Sequence, residues 1–138
     1  MNYYNYTPTE RWEYAKNAEA QRIRNRGFGE KYDRAGIYCI MLNGKIVYVG
    51  QSNNMLYRIA EHILKIRLPD EHKYLILNEA KEKYKISFDV LCYVDCDFFT
   101  SLNQQLNRKE AEYVNLYNPP LNTQIPDGFG SWKVNPSA

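Results

Sequence analysis

Two β-rich apolar runs, Ala35–Leu42 and Lys45–Gln51, stand on either side of Asn43-Gly44. A dipeptide that accepts positive φ at both positions, flanked by such runs, is the strongest short-range signal for a β-hairpin. It commits the middle of the chain to an antiparallel pair but leaves the register open. With a two-residue Asn-Gly turn, Tyr38 faces Val49, and Tyr38 and Tyr48 fall on opposite faces of the sheet. With a three-residue loop, Leu42-Asn43-Gly44, Gly44 takes the left-handed position of a bulge, Tyr38 pairs with Tyr48 and both rings share a face. The residues alone do not choose, and two tyrosines buried as ordinary core are the plain alternative.

Helical signals surround the hairpin. Thr7-Pro8-Thr9-Glu10 reads as a capping box with proline in the first turn, opening a helix that runs to about Arg26 and stops at Gly27. A second helix is expected from about Asn53 to Ile66, before Pro69, and a third near Glu71–Tyr84. Ile86, Phe88, Val90, Cys92 and Val94 alternate with other residues, the period of a strand. Ser101 with Gln104 forms another capping box, starting a helix that ends before Pro119-Pro120. The order α, β, β, α, α, β, α gives an α/β chain of the α+β kind: a small central antiparallel or mixed three-stranded sheet flanked by helices. Three segments are expected: an N-terminal helical extension, residues 1–34; a main domain, residues 35–122; and a tail, residues 123–138, packed on that domain without regular structure. Residues 1–6, rich in Tyr and Asn, are expected to be frayed or packed as an arm.

With 138 residues and a net charge of +2, this is one domain and not a polycationic coat. Any nucleic-acid contact must come from local clusters. The 13 tyrosines fill cores and also stack on bases. No secretory pattern opens the sequence and no apolar run is long enough to span a bilayer, so an intracellular, cytoplasmic protein with no membrane partner is expected. Cys39, Cys92 and Cys96 then read as reduced structural thiols.

Three polar features stand out from this background. Met55, Leu56, Ile59, Ile63 and Ile66 form the buried stripe of one helix. Arg58 and His62, four apart, share its other, exposed face, where they could bind phosphate and move a proton or simply be solvated. In the helix from Ser101, the residues Leu102, Leu106, Tyr113, Val114 and Tyr117 define an apolar arc that contains Glu110 and excludes Glu112. A buried carboxylate is costly unless paired or metal-bound, which makes Glu110 the unusual acid. Arg22, Arg24 and Arg26 close the first helix; they suit the helix dipole and are also candidates for nucleic-acid phosphate contact.

Together these residues resemble the GIY-YIG nucleases. Gly36-Ile37-Tyr38 is followed by Tyr48-Val49-Gly50, then Arg58, then His62, an acid on a later helix, and Pro119-Pro120-Leu121-Asn122, in the family's order. The resemblance covers about residues 35–122. It implies a small antiparallel-centred sheet with flanking helices and a site in which Tyr38 and Tyr48 lie together, favouring the three-residue loop. It implies a single divalent metal, Mg²⁺ or Mn²⁺, held by Glu110, the glutamate that stands four before Val114 and twelve before Asn122. Val49 replaces the more common Ile, a conservative change in a strand, and a histidine four after the arginine is not universal in the family.

The implied reaction is hydrolysis of a DNA phosphodiester bond by water. Arg58 would clamp the phosphate, and Tyr48 would hydrogen-bond the phosphate or the water. Tyr38 would activate or orient the water, His62 would accept the proton, and which of these two takes it first stays open. Asn122 would brace the site, and Gly36 and Gly50 are structural positions, Gly50 allowing close backbone approach. The DNA could be duplex, branched or single-stranded, and cutting both strands of a palindrome would call for a homodimer. The competing reading is a nucleic-acid-binding module that has kept the fold and lost cleavage. Such a copy would be expected to lose the metal-binding acid first, and Glu110 is present.

Overall fold

A computed structural model describes residues 7–97 and 100–123; the expected N-terminal arm and C-terminal tail lie outside the described residues. The elements are α1 (Pro8–Asn25), α2 (Gly29–Tyr32), β1 (Gly36–Leu42), β2 (Lys45–Ser52), α3 (Met55–Arg67), α4 (His72–Ala80), β3 (Ile86–Tyr93), α5 (Leu102–Tyr117) and α6 (Pro120–Thr123). The strands form one antiparallel sheet in the order β2-β1-β3, with helices on both faces. No described helix is long and apolar enough to cross a membrane.

Both capping boxes form. Thr7 and Ser101 each accept from the backbone three residues on, and Glu10 and Gln104 reach back to the cap. These contacts satisfy first-turn N–H groups that would otherwise lack partners. Helix α1 ends where Gly27 takes a φ of 92°, and α5 ends where Asn118 takes 44°. The left-handed residue halts each helix.

The hairpin register combines parts of both sequence alternatives. Asn43 (φ 51°) and Gly44 (φ 80°) are both left-handed, as a two-residue type I′ turn requires. The three-residue loop is therefore not made. Leu42 faces Lys45 and Met41 faces Ile46, but Ile40 then faces Tyr48, so Val47 is an extra residue on β2. This bulge shifts every later pair by one. Tyr38 lies opposite Gly50, rather than Val49 or Tyr48. Because side chains alternate, Tyr38 and Tyr48 nevertheless share a face, diagonally placed. A second shift makes Leu91 the extra residue on β3.

The two sheet faces bury different cores. Ile40, Leu42 and Val47 pack with Ile66, Tyr74, Ile76 and Leu77, while Tyr38 joins Ala20, Ile23 and the stripe of α3. On the other face Ile37, Cys39 and Val49 meet Leu106 of α5. Helix α1 thus shares a core with α3. Glu19, 1% exposed, strengthens that junction by pairing with Arg22 and, at 3.1 Å, with Arg67 of α3. Cys39, Cys92 and Cys96 are free thiols. Burial pushes Cys39 up to about 11, which keeps it an unreactive thiol.

Candidate active site

The site lies where the edge strand β2 meets α3 and α4 from one face of the sheet and α5 from the other. Tyr38 reaches it from β1 and is 1% exposed. Its phenol lies over Gly50, and a Cβ added there would overlap the phenol ring. Glycine at 50 therefore makes room for Tyr38. Gly36 has a similar duty elsewhere, since a Cβ there would come within 2.5 Å of the Cys92 carbonyl and 2.8 Å of Met55 Cε. Gly50→Ala is expected to cost about 1–3 kcal/mol through overpacking and to displace Tyr38. A lower urea midpoint together with reduced turnover would show this, and wild-type behaviour in both would contradict it.

His62 departs from the sequence expectation of an exposed face beside Arg58. It is 0% exposed. The cause is tertiary: α4 folds back over α3 and covers the face that carries His62. Its Nε2 is 2.6 Å from the Tyr38 hydroxyl and its Nδ1 is 2.8 Å from the hydroxyl of Tyr74 on α4. Burial, and after it Arg58, Lys73 and Lys65, hold His62 well below its usual range. A neutral imidazole has one donor and one acceptor, and a hydroxyl on each side can satisfy both. Three buried groups thus form a continuous Tyr38–His62–Tyr74 hydrogen-bonded chain.

That burial has a thermodynamic consequence. The unfolded chain takes up a proton on His62 below about pH 6.5, while the folded chain does not. Stability should therefore fall as pH drops below about 6.5, by up to about 1.4 kcal/mol per pH unit. Urea melts between about pH 6.5 and 5, above the range of ordinary carboxylates, should show this slope in the native chain and a shallower one in His62→Gln. Equal slopes would mean that His62 is not held neutral by the fold.

Arg58 sits above the two catalytic-candidate tyrosines. Its side chain is 34% exposed and pairs with Glu61. Burial works against its charge, but Tyr38, Glu61 and Tyr74 more than offset this, so it stays protonated. The Tyr38 hydroxyl is held far above its usual value, mainly by burial, although Arg58 opposes the shift. The rings of Tyr38 and Tyr48 are 6.5 Å apart, and both lie within 6 Å of the His62 ring, at 5.4 and 5.7 Å. Tyr48 is raised by burial and lowered by Arg58, and Glu110 also acts on it.

Glu110 comes from α5 on the other side of the sheet and is partly buried, whereas Glu112 is exposed and pairs with Lys109 at 3.2 Å. Burial raises the Glu110 carboxyl, while the Gln51 amide and Arg58 lower it. Of the apolar arc, Leu106 is buried, but Tyr117 is 44% exposed and stacks on Tyr113 at 6.2 Å. Among the described residues no three His, Cys, Asp or Glu groups converge into a metal cage. Magnesium needs no such cage: it keeps several waters and takes one or two carboxylates plus substrate oxygens. A partly buried carboxylate within the electrostatic reach of Arg58 and Tyr48 fits that mode.

Asn122 touches the backbone, not the cluster. Its Oδ1 accepts from Val49 N and its Nδ2 donates to Val49 O, both at 2.8 Å. It continues the ladder on the open edge of β2 and fixes the strand between Tyr48 and Gly50. Arg22 is engaged with Glu19, and Arg24 donates to the Tyr57 hydroxyl at 3.0 Å and approaches Asp33 at 3.5 Å. Arg26 has no ion-pair partner among the described residues.

Sequence reading missed Tyr74 and Lys73. Lys73 stacks on Tyr48 with its Nζ 4.3 Å from the ring centre. Burial and Arg58 push it below its usual value. Both residues stand in the first turn of α4, whose placement over α3 no local pattern announces.

No protein-family model and no curated protein matches the chain. Among solved structures, it is similar to the GIY-YIG N-terminal endonuclease domain of UvrC from Thermotoga maritima. For a magnesium-bound form the identity is 16% and the TM-score 0.43, over 75% of this chain and 98% of that one. A point mutant bound to its catalytic divalent cation gives 15% and 0.44 over the same shares. At that identity the likeness is one of fold alone.

Proposed function

We propose that the chain is a metal-dependent endonuclease of the GIY-YIG type that hydrolyses DNA phosphodiester bonds by water attack. The observation that carries this reading is the buried Tyr38–His62–Tyr74 chain, whose Tyr38 hydroxyl interacts with Arg58, itself within the influence of the partly buried Glu110. The chain satisfies both ring nitrogens of His62, and beside Arg58 it can also carry a proton. A hydrolytic site needs such a carrier, because a water molecule must lose a proton as it attacks.

The burial of His62 supports an order for the two candidate bases. His62 has no exposure to solvent, so it cannot meet a water or a substrate itself. Tyr38 would face the attacking water and pass its own proton to His62 Nε2 as it receives one. Nδ1–H would then donate to Tyr74, which fixes the ring and helps hold the proton gained. Arg58 would turn from Glu61 onto a phosphate oxygen, uncovering the Tyr38 hydroxyl and placing positive charge where the transition state gathers negative charge. Lys73 adds a second cation next to Tyr48. Glu110 would hold Mg²⁺ or Mn²⁺, which when bound supplies charge for the phosphate and for the leaving oxygen. One such site cuts one strand, so double-strand cutting would need two copies.

Tyr74→Phe tests the relay. It leaves Nδ1 without its partner, at a cost of about 1–3 kcal/mol, and should lower kcat about tenfold with KM unchanged. Unaltered kcat would remove Tyr74 from the mechanism. The proposed function as a whole is tested by metal removal: cleavage should stop in chelator and return with magnesium. Cleavage that persists without any divalent ion would contradict the role given to Glu110.

A further inference from the structure

On the opposite edge of the sheet, along β3, lies a recess that the proposed mechanism does not use. Two adjoining hollows of about 380 and 450 Å³ share Arg26, Ile63, Ile86 and Phe88. Phe28, 46% exposed, and the buried Tyr32 close one end. The rim is cationic. Arg26, Lys31, Arg67, Lys81 and Lys85 come from four separate segments, Lys81 and Lys85 sharing the connection between α4 and β3, and no acidic side chain lines either hollow. Lys31 is matched by Asp89 at 2.7 Å and Arg67 by Glu19 at 3.1 Å. Arg26, Lys81 and Lys85 have no ion-pair partner among the described residues. In a chain whose net charge is only +2, three unmatched cations thus surround one apolar floor.

We infer that this recess holds a single strand of nucleic acid, its phosphates on Arg26, Lys81 and Lys85 and a base against Phe28. The combination of surfaces selects the ligand. A polyanion satisfies the rim, and flat apolar bases satisfy the floor and its aromatic end. An acidic peptide would meet the rim and leave Phe28 unused. The inference deepens the nuclease reading and rests on it for the choice of polyanion. Helix α3 links the two places: Arg58 and His62 serve the active site, while Ile59 and Ile63 line the recess about 100° around the same helix. Two interstrand spacings of about 4.8 Å separate the sheet edges, so one oligonucleotide can reach both.

The test is fluorescence anisotropy of the full chain in chelator, with a labelled single-stranded oligonucleotide, across a salt series. All three cations are exposed, so the triple variant Arg26→Gln, Lys81→Gln, Lys85→Gln should fold normally. It is expected to bind about tenfold more weakly or worse at low salt, with the slope of log K against log salt reduced by about 2, from about 0.7 per lost phosphate contact. Phe28→Ala should lower affinity about fivefold or more while leaving the slope unchanged. Unchanged affinity and slope in the triple variant would overturn the inference, as would no binding by the native chain. An effect confined to duplex, or polyglutamate competing as well as the oligonucleotide, would overturn the single-strand assignment. The two readings separate cleanly: binding through the recess without cleavage refutes the nuclease, and cleavage with unaltered binding by the triple variant refutes the recess.

Discussion

Glu110→Ala is expected to reduce cleavage by about 10³-fold or more, while Glu112→Ala leaves it within about twofold. The two acids differ by two positions on α5, and the helix turns them onto different surroundings. Glu110 is partly buried at the edge of β2, within the influence of Gln51 and Arg58, and it acts in turn on Tyr48. Glu112 stands in solvent with Lys109, an ion pair of small consequence. A carboxylate in the first setting can anchor a hydrated cation against the substrate phosphate; one in the second cannot. Single-turnover rates for the two variants, with circular dichroism to show that both are folded, decide the matter. Equal losses would remove the distinction between the two helix faces.

Tyr38→Phe should lower kcat by about 10²–10⁴-fold, the usual contribution of a positioned base, with oligonucleotide binding retained. The substitution deletes one oxygen and keeps the ring that fills the space over Gly50. The packing survives, and the loss is limited to the hydroxyl's 2.6 Å contact with His62 and its interaction with Arg58. Without that hydroxyl the buried imidazole has no route to the surface. His62→Ala should be slow for the same reason but also less stable, since it removes the buried partner of both the Tyr38 and the Tyr74 hydroxyl and leaves a cavity. Unchanged turnover in Tyr38→Phe would take Tyr38 out of the chemistry and leave it as core. A loss of binding equal to the loss of rate would make it a substrate contact instead.

Local chemistry in this chain was readable and tertiary placement was not. The caps at Thr7 and Ser101, the stop at Gly27 and the turn at Asn43-Gly44 depend on neighbours within a few residues, and all four form. The register of the hairpin depends on Val47, an extra residue whose side chain joins the core beside Ile40 and Tyr74. Nothing in the turn specifies it, so the shared face of Tyr38 and Tyr48 arises by a bulge rather than by a longer loop. His62 was expected on an exposed face because helical spacing places it next to Arg58. It is buried because α4 covers it, and that same packing supplies Tyr74. Periodicity reports one helix at a time and cannot say what lies on the far side. The short helices α2 and α6 span four residues each, too few for a periodic signal. Even so, α6 carries Asn122, whose place in the motif pointed to a bracing role and whose side chain holds Val49.

The central claim is that the cluster of Tyr38, Tyr48, Arg58, His62 and Glu110 cleaves phosphodiester bonds. The most direct measurement is a cleavage assay with magnesium or manganese on end-labelled single-stranded, duplex, flapped and branched DNA, with the native chain beside Glu110→Ala. Cutting of at least one substrate by the native chain, and none by the variant, is the expected result. No cutting of any substrate by a native chain that still binds DNA would contradict the claim and make this fold a nucleic-acid-binding module.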